Sequence, residues 1–142
     1  MVTSTMWADS FDATPSSFPD ARNILVVDDE AAIRRLVSSF FEREGYTCWI
    51  ASTGEKAVNM FRDHASEIGL ALIDVRMPGM DGVQTLTALK KINPELRCCF
   101  MTGNCAPYHE ADLFAAGAAE LIHKPVSLSV LGQIARDCLA SV

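Results

Sequence analysis

Two apolar runs in this chain end in acid: Asn23–Val27 leads into Asp28 and Asp29, and Gly69–Ile73 leads into Asp74. If the two runs are parallel strands that end together, the three carboxylates meet in one small pocket. Crowded carboxylates repel and shift one another's pKa unless a cation lies between them. Their hard oxygens suit Mg²⁺, which is usually held by one or two carboxylates, with water and phosphate oxygens completing its shell. The residue types therefore point to a metal-dependent phosphate site, provided the rest of the chain can hold these acids together.

The pattern from Asn23 onward supplies such a scaffold. Short apolar runs recur at Asn23–Val27, Thr47–Ala51, Gly69–Ile73, Cys98–Thr102 and Glu120–His123, with room for a helix after each. Ile33, Leu36, Val37, Phe40 and Phe41 follow the spacing of a buried helical stripe, and Gly45 is placed to stop that helix. Ala57, Val58 and Phe61 mark a second helix, with Ser52 or Thr53 as its cap. Val83, Leu86, Leu89 and Ile92 mark a third, ended at Asn93–Pro94. Pro107 is expected to open a fourth that runs toward Gly117. Leu128, Leu131, Ile134, Ala135 and Cys138 mark the last. Strands alternating with helices in this way give an α/β, doubly wound parallel sheet covered on both faces. Open sheets of this class bind ligands beyond the carboxyl ends of the strands, where the strand order reverses. In the flavodoxin-like order 2-1-3-4-5 that point lies between the first and third strands, the two that end in acid.

Bulk properties narrow the function. The length of 142 residues fits one domain with a proper core. No apolar run is long enough to span a membrane, and Met1–Asp20 is too polar for a signal peptide, so the expected location is cytoplasmic. A net charge of −6 without a Lys/Arg cluster argues against a nucleic-acid surface. The basic pairs Arg34–Arg35 and Lys90–Lys91 read as solvated helix edges. Cys48, Cys98, Cys99, Cys105 and Cys138 form no CxxC pair and no zinc spacing, and they read as reduced structural residues. Residues 1–22, with Pro15 and Pro19 among small polar residues, read as a flexible arm preceding a domain at 23–142. No further module is expected after Val142.

Taken singly, each residue also has a structural reading. Asp28 and Asp29 can cap a helix at Ala31, and Asp74 can serve the turn at Met77-Pro78-Gly79. Thr102 can be an ordinary β-branched strand residue and Lys124 a solvated lysine. His64, His109 and His123 lack metal-ligand spacing and read as surface or core residues.

Taken together, Val26-Val27-Asp28-Asp29-Glu30, Asp74-Val75-Arg76-Met77-Pro78-Gly79-Met80-Asp81-Gly82, Met101-Thr102-Gly103 and His123-Lys124-Pro125 resemble the receiver domain of two-component response regulators. Four motifs at successive strand ends, over roughly residues 22–142, carry the resemblance. It implies that Asp74 takes a phosphoryl group from a kinase phosphohistidine. It implies Mg²⁺ held by Asp29 and Asp74 directly, by Asp28 through water and by the backbone carbonyl of Arg76. Thr102 is implied to bond a phosphoryl oxygen and Lys124 to pair with it. Gly103 is expected to leave space above that group, and Lys124–Pro125 to be cis. The implied partners are a sensor histidine kinase or histidine phosphotransfer protein, and a downstream protein target. Such a domain is a phosphoacceptor that catalyses at most its own phosphorylation from small donors and its own dephosphorylation.

The chain departs from the family at Leu121, where many receivers carry an aromatic residue three positions before the lysine. Its response to a moving threonine is expected to differ. Arg76 and Asn104 flank the path of attacking water. Three other functions compete: a phosphorylation-independent adaptor with the same fold, a receiver belonging to a longer kinase or regulator, and an aspartyl phosphatase. The adaptor usually lacks one of the acids, the threonine or the lysine, all present here. The phosphatase type carries a D-x-D pair after its first strand, unlike the adjacent Asp28–Asp29.

Overall fold

The computed structural model describes residues 22–139. The elements run β1 (Asn23–Val27), α1 (Ala31–Arg43), β2 (Cys48–Ala51), α2 (Gly54–His64), β3 (Ile68–Asp74), α3 (Gly82–Ile92), β4 (Arg97–Thr102), α4 (Glu110–Ala115), β5 (Glu120–His123) and α5 (Leu128–Leu139). The strands form one sheet in the order β2-β1-β3-β4-β5, and every pairing is parallel. This is the flavodoxin-like (βα)₅ fold expected from the alternating pattern. The arm expected at residues 1–22 lies outside the described residues, Arg22 excepted.

Side-chain alternation along the strands divides the core in two. Leu25 and Val27 of β1, with Ala71 and Ile73 of β3 and Cys98 and Phe100 of β4, face α2, α3 and α4. Ile24, Val26, Leu70, Leu72, Cys99 and Met101 face α1 and α5. The three inner strands are consequently buried on both faces, which is why they read as continuous apolar runs. Burial pushes the Cys98 thiol up to about 12, as suits a structural cysteine.

The helix ends refine the expectations. Thr53, not Ser52, caps α2 by accepting from the Lys56 amide at 3.0 Å. Asp81 caps α3 in a reciprocal box with Gln84. Gly45 takes φ of 95° just after α1, a left-handed geometry that suits glycine at a helix end. Gly82 matters for its lack of a side chain, since a Cβ there would overlap the backbone of Asp74 and Val75. It lets α3 begin against the end of β3.

One alternative reading falls and two expectations are corrected. Neither Asp28 nor Asp29 caps α1; Glu30 holds that position without a side-chain cap bond. Pro107 does not open α4, because it lies in a turn closed by the Tyr108 amide donating to the Cys105 carbonyl at 2.9 Å, and the helix starts only at Glu110. Leu36, assigned to the buried stripe, is 44% exposed while Val37 and Phe41 fill the contact with the sheet.

Candidate functional site

β1 and β3 lie side by side with Val27 opposite Ile73, so the residues that follow emerge together at the carboxyl edge of the sheet. Asp28, Asp29 and Asp74 each offer an oxygen within 4.8 Å of the others. Asp28 is fully buried, Asp74 is 6% exposed, and Asp29 opens to solvent. The backbone fixes this convergence: the Asp28 amide donates to the Ala51 carbonyl at 3.2 Å, and the Val75 amide to the Met101 carbonyl at 3.2 Å. The Asp28 side chain is anchored as well, with Oδ1 accepting from the Glu30 amide at 2.9 Å.

The other side of the pocket comes from β4 and β5. Thr102 ends β4 opposite His123, and the Lys124 amide donates to the Thr102 carbonyl at 2.9 Å. This pairing carries the Lys124 side chain over the acids. Its Nζ stands 2.9 Å from Asp28 Oδ2, 3.4 Å from Asp74 Oδ1 and 3.4 Å from Glu30 Oε1. The contact with Asp28 is the shortest of the three, an ion pair to a fully buried carboxylate. Thr102 Oγ1 is buried without a partner. The Lys124–Pro125 bond is cis, as expected.

One lysine does not neutralise this cluster. Burial and then the Asp28 carboxylate lift the Asp74 pKa to about 7, while Lys124 pulls it down. For Lys124, burial acts to lower the pKa, but Asp28, Asp74 and Glu30 outweigh it and hold the ammonium above its ordinary value. An excess of carboxylate over ammonium and an all-oxygen donor set fit a hard divalent cation. Asp29, Asp74, Arg76, Gly103, Asn104 and Lys124 are among the residues that line the cavity above the cluster, about 370 Å³ in volume. A Cβ on Gly103 would meet nothing closer than Lys124 Cβ at 3.9 Å, so this wall is open, in keeping with the space expected there.

Of the residues singled out in the sequence, Asp29, Asp74, Arg76, Gly103, Asn104 and Lys124 line this cavity, Asp28 clusters with Asp29 and Asp74, and Thr102 is buried at the end of β4. Others were missed. Arg34, read as a solvated edge, donates from Nη1 to the Asp28 carbonyl at 2.8 Å and braces the first acid. Glu30 is a third acid on Lys124, beside Asp28 and Asp74; its place in the run Asp28-Asp29-Glu30 is the only sequence signal. Asn104 lines the cavity, but its Oδ1 accepts from the Ala106 amide at 2.9 Å and is thus engaged in the loop. Tyr108 donates to Asp81 Oδ2 at 2.7 Å, a bond between connections 27 residues apart that no local pattern announces. The histidines behave as read: His64 and His123 pair with Glu67 and Glu110, and His109 precedes α4.

A parallel five-stranded sheet with three acids, a threonine and a lysine at its carboxyl edge defines a class. Residues 24–136 match the family model described as the response regulator receiver domain, and the chain belongs to that family of phosphoacceptor domains in two-component signalling. Among its relatives, regulatory protein AtoC of Escherichia coli is 30% identical over 116 residues, covering 82% of this chain and 25% of AtoC. Sporulation initiation phosphotransferase F of Bacillus subtilis is 36% identical over 90 residues, covering 63% of this chain and 68% of that protein. The crystal structure of a CheY-like receiver domain protein from Methanospirillum hungatei superimposes with a TM-score of 0.77 at 30% identity, over 84% of this chain and 94% of the other. The chain thus spans a quarter of AtoC and two thirds of the sporulation protein. Among the described residues, no helix is long and apolar enough to cross a membrane.

Proposed function

We propose that residues 23–142 act as a phosphoryl switch with Asp74 as the acceptor, loaded from the phosphohistidine of a sensor kinase or histidine phosphotransfer protein. The observation that carries this reading is the placement of Asp74, nearly buried beside two further carboxylates and 3.4 Å from Lys124. Mg²⁺ would be held by Asp29 and Asp74 directly, by Asp28 through water and by the Arg76 carbonyl. The bound ion supplies neutralising charge for the phosphoryl oxygens.

An Asp74 carboxylate oxygen attacks phosphorus, the bond from phosphorus to the donor imidazole nitrogen breaks, and an acyl phosphate remains. Lys124 offsets the charge that arrives on the phosphoryl oxygens. Thr102 Oγ1, buried without a partner, gains an acceptor when an oxygen of that group comes within reach. Small donors such as acetyl phosphate serve the same pocket, and water entering beside Arg76 and Asn104 hydrolyses the product. The changed face is then read by a downstream protein, in the cytoplasm. A phosphorylation-independent adaptor is the weaker reading, because it has no use for a buried acid cluster of this cost.

Intact-mass spectrometry after incubation with acetyl phosphate, with and without Mg²⁺, tests the assignment. One Mg²⁺-dependent phosphoryl group is expected on the wild type and none on Asp74→Asn. Stoichiometric labelling of Asp74→Asn would sink the assignment of the acceptor.

A further inference from the structure

The connection that follows Thr102 is a small closed unit. The Ala106 amide donates to Asn104 Oδ1 at 2.9 Å, the Tyr108 amide to the Cys105 carbonyl at 2.9 Å, and Cys105 Sγ to the Tyr108 carbonyl at 3.2 Å. Bound to itself in this way, the turn moves as one body. Its outer anchor is Tyr108, which packs against the core on the α2–α3–α4 side while its hydroxyl donates to Asp81 Oδ2 at 2.7 Å. Among the described residues this is the one side-chain hydrogen bond between the β3–α3 and β4–α4 connections. Asp81 is a fixed post, since its Oδ1 accepts from the Gln84 amide at 2.8 Å and its own amide donates to Gln84 Oε1 at 2.9 Å. Leu121 packs against the same core as Tyr108 and has no polar group with which to hold the turn.

We propose that Tyr108 is a positioning residue of the switch: its bond to Asp81 latches the β4–α4 connection to the start of α3 and holds the ligand-free arrangement against the phosphoryl-bound one. The proposal rests on the roles given above to Asp74 and Thr102. Bringing Thr102 toward a group on Asp74 draws Gly103 and the closed turn toward the pocket. The turn cannot follow without pulling the Tyr108 hydroxyl from Asp81. The aromatic lever of this chain therefore lies in the loop and reports to α3, while the β5 position carries an aliphatic side chain.

The test uses the full chain labelled with fluorotyrosine and titrated with beryllofluoride and Mg²⁺, a mimic of the phosphoryl group. The protein has two tyrosines, Tyr46 and Tyr108, so Tyr108→Phe assigns both fluorine signals. Binding should shift the Tyr108 signal and leave Tyr46, which sits edge-on to Phe41 on the opposite side of the sheet, in place. Tyr108→Phe should bind beryllofluoride about threefold to tenfold more tightly, the range expected for losing one hydrogen bond that opposes binding. Asp81→Ser keeps a helix cap but loses the acceptor, and should give the same gain with no further gain in the double variant. The fluorine signal of bound beryllofluoride reports site occupancy separately. Binding with a stationary Tyr108 signal, or with unchanged or weaker affinity in Tyr108→Phe, overturns the latch alone. Absence of bound beryllofluoride in the wild type overturns both the latch and the phosphoryl site.

Discussion

Asp74→Asn should make the metal-free protein more stable than the wild type at pH 8, and the advantage should shrink in acid. Burial and the Asp28 carboxylate raise the Asp74 pKa from 3.8 to about 7 in the folded chain. The unfolded chain separates the acids, so Asp74 returns there to about 3.9. With the folded value the higher one, ionisation costs the native state free energy that is absent below about pH 4, grows up to about pH 7 and stays level above. A displacement of roughly three units at 1.36 kcal/mol each sets that cost at about 4 kcal/mol above pH 7, and about 1–2 kcal/mol at pH 5. Asparagine has nearly the same shape and no charge at any of these pH values. Urea denaturation in EDTA, followed by circular dichroism at pH 8 and pH 5, should show the mutant ahead by a margin that falls as pH falls. Mg²⁺ added at pH 8 should narrow the gap by stabilising the wild type through binding. An equal stability difference at the two pH values would refute the crowding argument.

Lys124→Met leaves fully buried Asp28 without the ammonium 2.9 Å away, and should cost about 3 kcal/mol in denaturant unfolding at pH 7. Gly82→Ala places a methyl group into the backbone of Asp74 and Val75, and should cost about 1–3 kcal/mol by the same measurement. Thr53→Ala removes the α2 cap and none of the bonds to the acids; it should lower stability by about 1 kcal/mol while acetyl phosphate labelling proceeds at the wild-type rate. Asp29→Ala should weaken Mg²⁺ binding in calorimetric titration, and unchanged affinity would count against its role as a ligand.

The strands and the order of elements were legible because β1, β3 and β4 are buried on both faces, which leaves runs such as Ile24–Val27 and Leu70–Ile73 without polar interruption. The site was legible for a related reason: its residues lie at the ends of those runs, so locating the strands locates the acids, Thr102 and Lys124. Where local rules compete, the sequence was less informative. Pro107 suits a first helical turn, yet the bond from Tyr108 to Cys105 takes it into a turn instead. Arg34 fits the polar face of a helix by spacing, but its long side chain folds back to the Asp28 carbonyl, a tertiary contact that periodicity does not encode. The bond from Tyr108 to Asp81 joins two loops whose relative placement depends on the assembled sheet.

The strand order also divides the site mechanically. Asp28 directly follows β1 and Asp74 ends β3, strands paired on both sides, whereas Lys124 follows β5, which is paired on one side only. Edge strands open by local fluctuation far more readily than central ones, which exchange their amides only when most of the domain comes apart. By that rule the strands that carry the carboxylates should exchange late and the strand before Lys124 earlier, an order that amide hydrogen exchange reads directly. Loss of the β5 pairing would withdraw the ammonium and still leave β1 and β3 paired on both sides. The acids thus rest on the centre of the sheet, and their countercharge on a four-residue strand at its margin.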